Sequence, residues 1–198
     1  MGKERGRRDD EDELMLAYGR GDSAAFEVLF GRYKDKVFSF FLRATGNRAL
    51  AEDLFQTAFL RLHRARRGYV SGSFSGFIFT IAANLLRDER ARVEHQRRVD
   101  IAGEVPEVLS EKALINSPET LAEASQMYAS LEKAIAQLPD GLRDVLLLSR
   151  YQGLDNGQVA AVLGISPGAA KVRLFRALTL LRRKLGMPAA RPHDAGNG

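Results

Sequence analysis

Cysteine and tryptophan are absent from this 198-residue chain, and histidine occurs only three times. Without cysteine there can be no disulfide, no thiolate metal site and no cysteine nucleophile. His63, His95 and His193 lie far apart and show no ligand spacing, so neither a metal site nor any cofactor is expected. No apolar run approaches the roughly 20 residues that span a bilayer. The opening residues, MGKERGRRDDEDE, contain no apolar signal core. A cytoplasmic protein without membrane insertion is therefore expected. Also missing are a phosphate-cradling glycine loop, a Ser-His-Asp arrangement and paired carboxylates in a catalytic setting. No catalytic residue is assigned, and an enzyme is not expected.

What is present is of globular composition, 45% hydrophobic and 28% charged, with a net charge of +5 and room for one or two domains. The most informative stretch is DNGQVAAVLGISPGAAKVRLFRALTLLRRKL, residues 155–185. Asp155 reads as the N-cap of a short helix and Gly164 as its left-handed stop. Ser166-Pro167 reads as the N-cap and first residue of a second helix. Ala170, Leu174, Ala177, Leu178, Leu181 and Leu185 recur on one face of that helix at helical spacing. Ala169, Val172, Arg176, Thr179 and Arg183 fall on the other, flanked by Lys171 and Arg173. From Ser166 to Leu185 there are six positive residues and no acid. A helix built only for solubility mixes signs, because opposite charges three or four residues apart support each other. Two helices joined by a tight glycine turn, the second one basic, read as a helix-turn-helix that binds DNA.

Upstream, residues 1–12 read as a charged, disordered lead-in. Residues 13–98 read as a helical bundle. Its second helix carries Phe26, Leu29, Phe30, Tyr33, Val37, Phe40 and Phe41 every three or four residues, and its third runs from Leu50 to Arg67. A flexible loop, Gly68 to Ser73, precedes a fourth helix from Phe74 to about Arg92, with Phe74, Phe77, Ile78, Ile81 and Leu85 inward. On the opposite face lie Phe79, Ala83, Leu86 and Arg90, with Asn84 and Arg87 at its edges. An aromatic among polar and basic residues suits stacking of unpaired bases; the alternative is that Phe79 packs inside the bundle. Residues 99–118 read as a flexible acidic linker interrupted at Pro106 and Pro118, residues 119–186 as the helix-turn-helix domain, and residues 187–198 as a disordered tail.

Three segments in this order resemble the extracytoplasmic-function sigma factors of bacterial RNA polymerase, within the sigma-70 family. AEDLFQTAFLRLHR, residues 51–64, resembles the segment that docks on core polymerase. FSGFIFTIAANLLRDERAR, residues 74–92, resembles the helix that melts and reads the minus-ten element, with Ile81, Ala82, Asn84, Asp88 and Arg90 at pattern positions. Residues 138–178 resemble the domain that reads the minus-thirty-five element. The middle region of housekeeping sigma factors is absent, and the linker is too short to contain it.

The resemblance implies an all-α protein, an N-terminal helical bundle (sigma region 2) and a C-terminal helix-turn-helix domain (sigma region 4). Its implied partners are core RNA polymerase, promoter DNA and an anti-sigma factor. Polymerase docking is expected of Glu52, Asp53, Leu54, Gln56 and Phe59, and minus-ten contacts of Tyr69, Ser71, Ser73, Phe79, Asn84, Arg87 and Arg90. Minus-thirty-five contacts are expected of Ser166, Pro167, Ala169, Lys171, Val172, Arg173 and Arg176. Thr57 stands where the pattern usually has an acid, Phe77 where it has tryptophan, and Ala169 and Val172 where side chains are commonly polar. The rival reading is a stand-alone helix-turn-helix regulator with a sensing or dimerising N-terminal bundle, which has no need of residues 51–64.

Overall fold

The computed structural model describes residues 2–70, 72–100 and 122–187, and among these there is no strand. Four helices form an N-terminal layer: α1 (Gly2–Gly19), α2 (Ser23–Thr45), α3 (Arg48–Ala65) and α4 (Phe74–Asp100). Four more form a second: α5 (Ala122–Ala136), α6 (Asp140–Leu146, continued by a π-helical turn Leu147–Tyr151), α7 (Asn156–Leu163) and α8 (Pro167–Lys184). Helix α1 reaches back to Gly2, through the segment expected to be a disordered lead-in. Val99 and Asp100, expected in the linker, close α4; the rest of the linker and residues 188–198 lie outside the described residues.

Helix α2 is the centre of the first layer and touches α1, α3 and α4. Asp22 caps it by accepting from the Ala24 and Ala25 amides, and Gly46, at φ 66°, closes it in the left-handed region. Its buried residues, Ala25, Leu29, Tyr33, Val37, Phe40, Phe41 and Ala44, follow the apolar period of the sequence. Aromatic rings tie the layer together: Phe59 lies 4.9 Å from Phe30 and 5.0 Å from Phe55, and Phe74 meets Tyr33 edge-on at 4.8 Å. Such pairs add about 0.5–1.5 kcal/mol beyond the area they bury.

The second layer is held by its caps. Asp155 and Gln158 satisfy each other's backbone amides at the start of α7, Gly164 turns the chain at φ 65°, and Ser166 accepts from the Ala169 amide to start α8. Ala170, Ala177 and Leu181 seat α8 against α6 and α7.

Phe79 is a correction to the sequence reading. It has no exposed surface and packs on Phe40 at 5.7 Å, because α4 is covered by α2 on one side and by α7 on the other. Phe79→Ala should therefore cost about 3–5 kcal/mol of stability, as for other buried aromatics. Urea unfolding measures this, and a loss below about 1 kcal/mol, typical of a surface position, would contradict the burial.

Candidate nucleic-acid interface

Helix α8 presents an open face. Lys171, Val172 and Arg176 are exposed there, Ser166 and Pro167 stand at its head, and Ala169 is half-buried. Phe175, which the sequence reading passed over, is 64% exposed between them. Its register, three residues after Val172 and four after Lys171, was the available signal; an aromatic invites assignment to the core. Arg173 departs from the group. It is half-buried and turns toward Gly141 and the junction between the layers.

At the head of α4, Asp12 gathers the chain. Its carboxylate accepts from the Tyr69 hydroxyl, from the Gly72 amide at 3.2 Å and from the Phe74 amide at 3.0 Å. Burial, the hydrogen bond to Asp12 and the charges of Asp12 and Glu11 together push the Tyr69 phenol well above its ordinary pKa, so it stays protonated and donating. Ser73 caps α4, accepting from the Gly76 amide at 3.2 Å. It also accepts from the Gln158 side chain of α7 at 3.0 Å, so its hydroxyl is already engaged. Val70 is 80% exposed beside Tyr69. Ser71 lies outside the described residues. Asn84 is half-buried and Arg87 exposed on α4.

The two layers are closed on one another. Arg90 forms a two-pronged pair with Asp144 at 2.6 and 2.9 Å and a further bridge to Asp140 at 3.1 Å. Burial works against its charge, yet the Asp144 hydrogen bonds and both carboxylates outweigh it and hold its pKa above the ordinary arginine value. Arg143 donates to the Ala44 carbonyl at 2.6 Å. Arg43 meets Glu132 at 2.9 Å and stacks over the Tyr151 ring at 4.4 Å. Arg87, Arg90 and Arg173 all line a cavity of about 180 Å³ together with Asp144. Arg90 and Arg173, expected on DNA-facing surfaces, thus lie at the junction, Arg90 held by Asp140 and Asp144 of α6 and Arg173 beside Gly141.

On α3, Glu52, Asp53 and Gln56 are exposed, Glu52 in a 2.9 Å bridge to Arg48. Leu54 and Phe59 are a second correction. They are 7% and 9% exposed, turned into the bundle where Phe59 sits among the aromatic rings. Leu60, 58% exposed, occupies the outward stripe instead, four residues after Gln56 and seven after Asp53.

Comparison with known proteins gives this geometry its class. The family model described as "Sigma-70 region 2" matches residues 29–98, and "Sigma-70, region 4" matches residues 128–181. These are the two helical modules of a sigma-70-type factor. The RNA polymerase sigma factor CarQ of Myxococcus xanthus is 36% identical over 181 residues, covering 87% of this chain and 95% of that protein. The ECF RNA polymerase sigma factor SigE of Mycolicibacterium smegmatis is 30% identical over 168 residues, covering 82% of this chain and 63% of that one. This chain belongs to the extracytoplasmic-function sigma factors, a family of non-enzymatic transcription initiation factors. Its fold is shared with the sigma factor RpoE of Bartonella quintana, solved in complex with the anti-sigma factor NepR, at a TM-score of 0.68 and 19% identity over 83% of this chain and 98% of that one. CnrH, solved with the cytosolic domain of CnrY, gives a TM-score of 0.63 and 22% identity over 89% and 97%. The rival reading as a stand-alone regulator is not favoured. Among the described residues no helix is long and apolar enough to cross a membrane.

Removing the acid that holds Arg90 should open the molecule. Loss of Asp144 leaves the partly buried Arg90 with only the half-exposed Asp140 as partner, at a cost of about 3 kcal/mol or less, which separation of the layers relieves. Because the chain has no cysteine, fluorophores can be placed on cysteines introduced at Lys34 and Arg183 alone. Asp144→Ala should lower the closed fraction about tenfold or more in energy-transfer measurements; an unchanged distance distribution would contradict the role given to this pair.

Proposed function

We propose that this sigma factor divides promoter recognition between its two layers: residues 13–98 hold core RNA polymerase and the opened minus-ten element, and residues 119–186 read the minus-thirty-five element as duplex. The observation that carries this is α8, whose open face bears Lys171, Val172, Phe175 and Arg176 on a helix without any acid. Duplex DNA exposes its base edges in the major groove, so such a helix can read it unopened. Arg176 serves a base edge or phosphate, and Val172 and Phe175 supply apolar contact to thymine methyls. The minus-ten element must be unpaired before its bases can be held; Tyr69 and Val70 take a displaced strand at the head of α4, and Asn84 serves it further along the helix. Glu52, Asp53, Gln56 and Leu60 form the polymerase-docking stripe of α3.

The chain itself carries out no covalent step; polymerase supplies the active site. It acts in the cytoplasm and is restrained by an anti-sigma factor, as the solved complexes of its structural neighbours suggest by analogy. In the closed form Ser73 and Arg90 are occupied by Gln158, Asp140 and Asp144, so the layers have to part before these two residues meet DNA.

Reconstitution with core polymerase and a promoter library tests the division. Arg176→Ala should cost about 1–3 kcal/mol of closed-complex affinity if it reads a base edge, confined to the upstream element. Asn84→Ala should spare the closed complex and reduce permanganate reactivity of thymines near the start site. A promoter already mismatched there should recover part of the opening, since the template then supplies the unpairing energy. The reverse pattern would overturn the assignment.

Docking is tested separately. Reversing Glu52 and Asp53 to lysine should weaken association with core polymerase, and rising salt should weaken the wild-type contact, because exposed charges are screened. Unchanged binding by the double reversal would remove α3 from the docking surface.

A further inference from the structure

Three acids in the middle of α1, within the acidic run at residues 9–13, each reach a different place. Asp10 pairs with Arg32 at 2.6 Å, and Glu11, 4% exposed, accepts from the Tyr33 hydroxyl at 2.5 Å. Both partners lie on α2, so they fix the rotation and register of α1 against it. Asp12 is then aimed at the head of α4, where its two oxygens accept three donors from Tyr69, Gly72 and Phe74. A carboxylate beside a surface meant for DNA repels the phosphates, so its presence needs a reason. Two acceptor oxygens supply one. Oδ1 takes the Tyr69 hydroxyl and the Phe74 amide while Oδ2 takes the Gly72 amide. An asparagine would turn an NH₂ group toward one of these donors. Gly72 sits at φ 144°, a conformation that other residues rarely adopt, so the turn is not one that local propensity would hold by itself.

We propose that Asp12 is a positioning residue for capture of the opened strand: it fixes Tyr69, Gly72 and Phe74 so that the surface facing the unpaired base is set before DNA arrives. The inference rests on the assignment of Tyr69 and its neighbour Val70 to the minus-ten element. Preorganisation of this kind improves binding by removing the cost of ordering the turn in the complex. Asp12 itself touches no base. Its loss should therefore flatten discrimination at the base held by the turn and leave the rest of the promoter preference alone.

The test uses the full chain with core polymerase and a promoter taken from the library, prepared with a mismatched minus-ten region and with each base of that region varied in turn. Asp12→Ala should reduce base discrimination at one position by about fivefold or more, with Asp12→Asn intermediate, while core affinity and minus-thirty-five preference stay unchanged. Thermal unfolding of each variant establishes that it is folded at the assay temperature. If Asp12→Ala does not fold, Asp12→Asn and Tyr69→Phe, which remove one contact each, are read by the same criterion. A uniform loss at every position, or none in a folded variant, would overturn the proposal. Val70→Gly separates the two layers of argument. If it shifts the preference and the Asp12 variants do not, only the role of Asp12 fails. If it shifts nothing, the minus-ten assignment of the turn fails and the proposal with it.

Discussion

Helix α4 has to satisfy two neighbours at once, and the pairing of Arg90 with Asp144 and Asp140 is what allows it. One side of the helix packs Ile78 and Phe79 into the first layer, and the next carries Ala83 and Leu86 under the second. Such a helix is apolar over most of its circumference, which alone would leave its position between the layers weakly specified. A bidentate arginine–carboxylate pair is directional in a way that apolar contact is not. It sets where α6 stands along α4, and with α6 come the Gln158–Ser73 hydrogen bond and the Arg43–Glu132 bridge. Removing Arg90 would leave two acids of α6, Asp140 and Asp144, side by side at the junction without the cation they share.

The same pair explains how a promoter-binding protein can be closed upon itself without being locked. Carboxylate and phosphate offer a guanidinium the same two-oxygen geometry, so on the minus-ten assignment of Arg90 Asp144 occupies it in the manner of a phosphate. The contact is only partly buried, and Arg87 and Arg173 line the same cleft with no ion pair of their own among the described residues. Three arginines gathered about the carboxylates of α6 repel one another, which weakens the hold of the closed state.

Much of the architecture was legible in the sequence because it is local. The caps at Asp155, Gly164 and Ser166-Pro167 and the apolar period of α2 each act within a few residues, and the structure follows them. What was not legible depends on partners far away in the chain. Asp12 sits in a run of acids that reads as solubilising charge; only its meeting with Phe74, 62 residues on, shows otherwise. Phe79 could face either way because α4 has apolar residues on both sides, and the choice is made by Phe40 of α2, which no periodicity in α4 encodes. Phe59 and Leu60 show the limit of boundaries drawn from motif alone. Adjacent positions on a helix differ by about 100°, so a docking segment read as a block includes residues that point into the core.

The arrangement also orders the events it makes possible. Glu52, Asp53, Gln56 and Leu60 are exposed while the layers are closed, so on the docking assignment polymerase can be met without any rearrangement. The open face of α8 is likewise available. Arg90 and Ser73 are not, since both are held across the junction. A ligand that needs the separated form sees its affinity reduced by the fraction of molecules already open, whereas one that binds both forms equally shifts nothing. Single-stranded minus-ten DNA belongs to the first kind. The free chain is therefore a poor binder of the opened strand, however well shaped the surface at the head of α4. On the proposed division of roles, any partner that binds the separated form would meet the cost of separation that DNA otherwise bears. On the minus-ten assignment of Arg90 and Ser73, the residues that close the molecule and those that read the melted promoter are in part the same, which couples strand capture to separation of the layers.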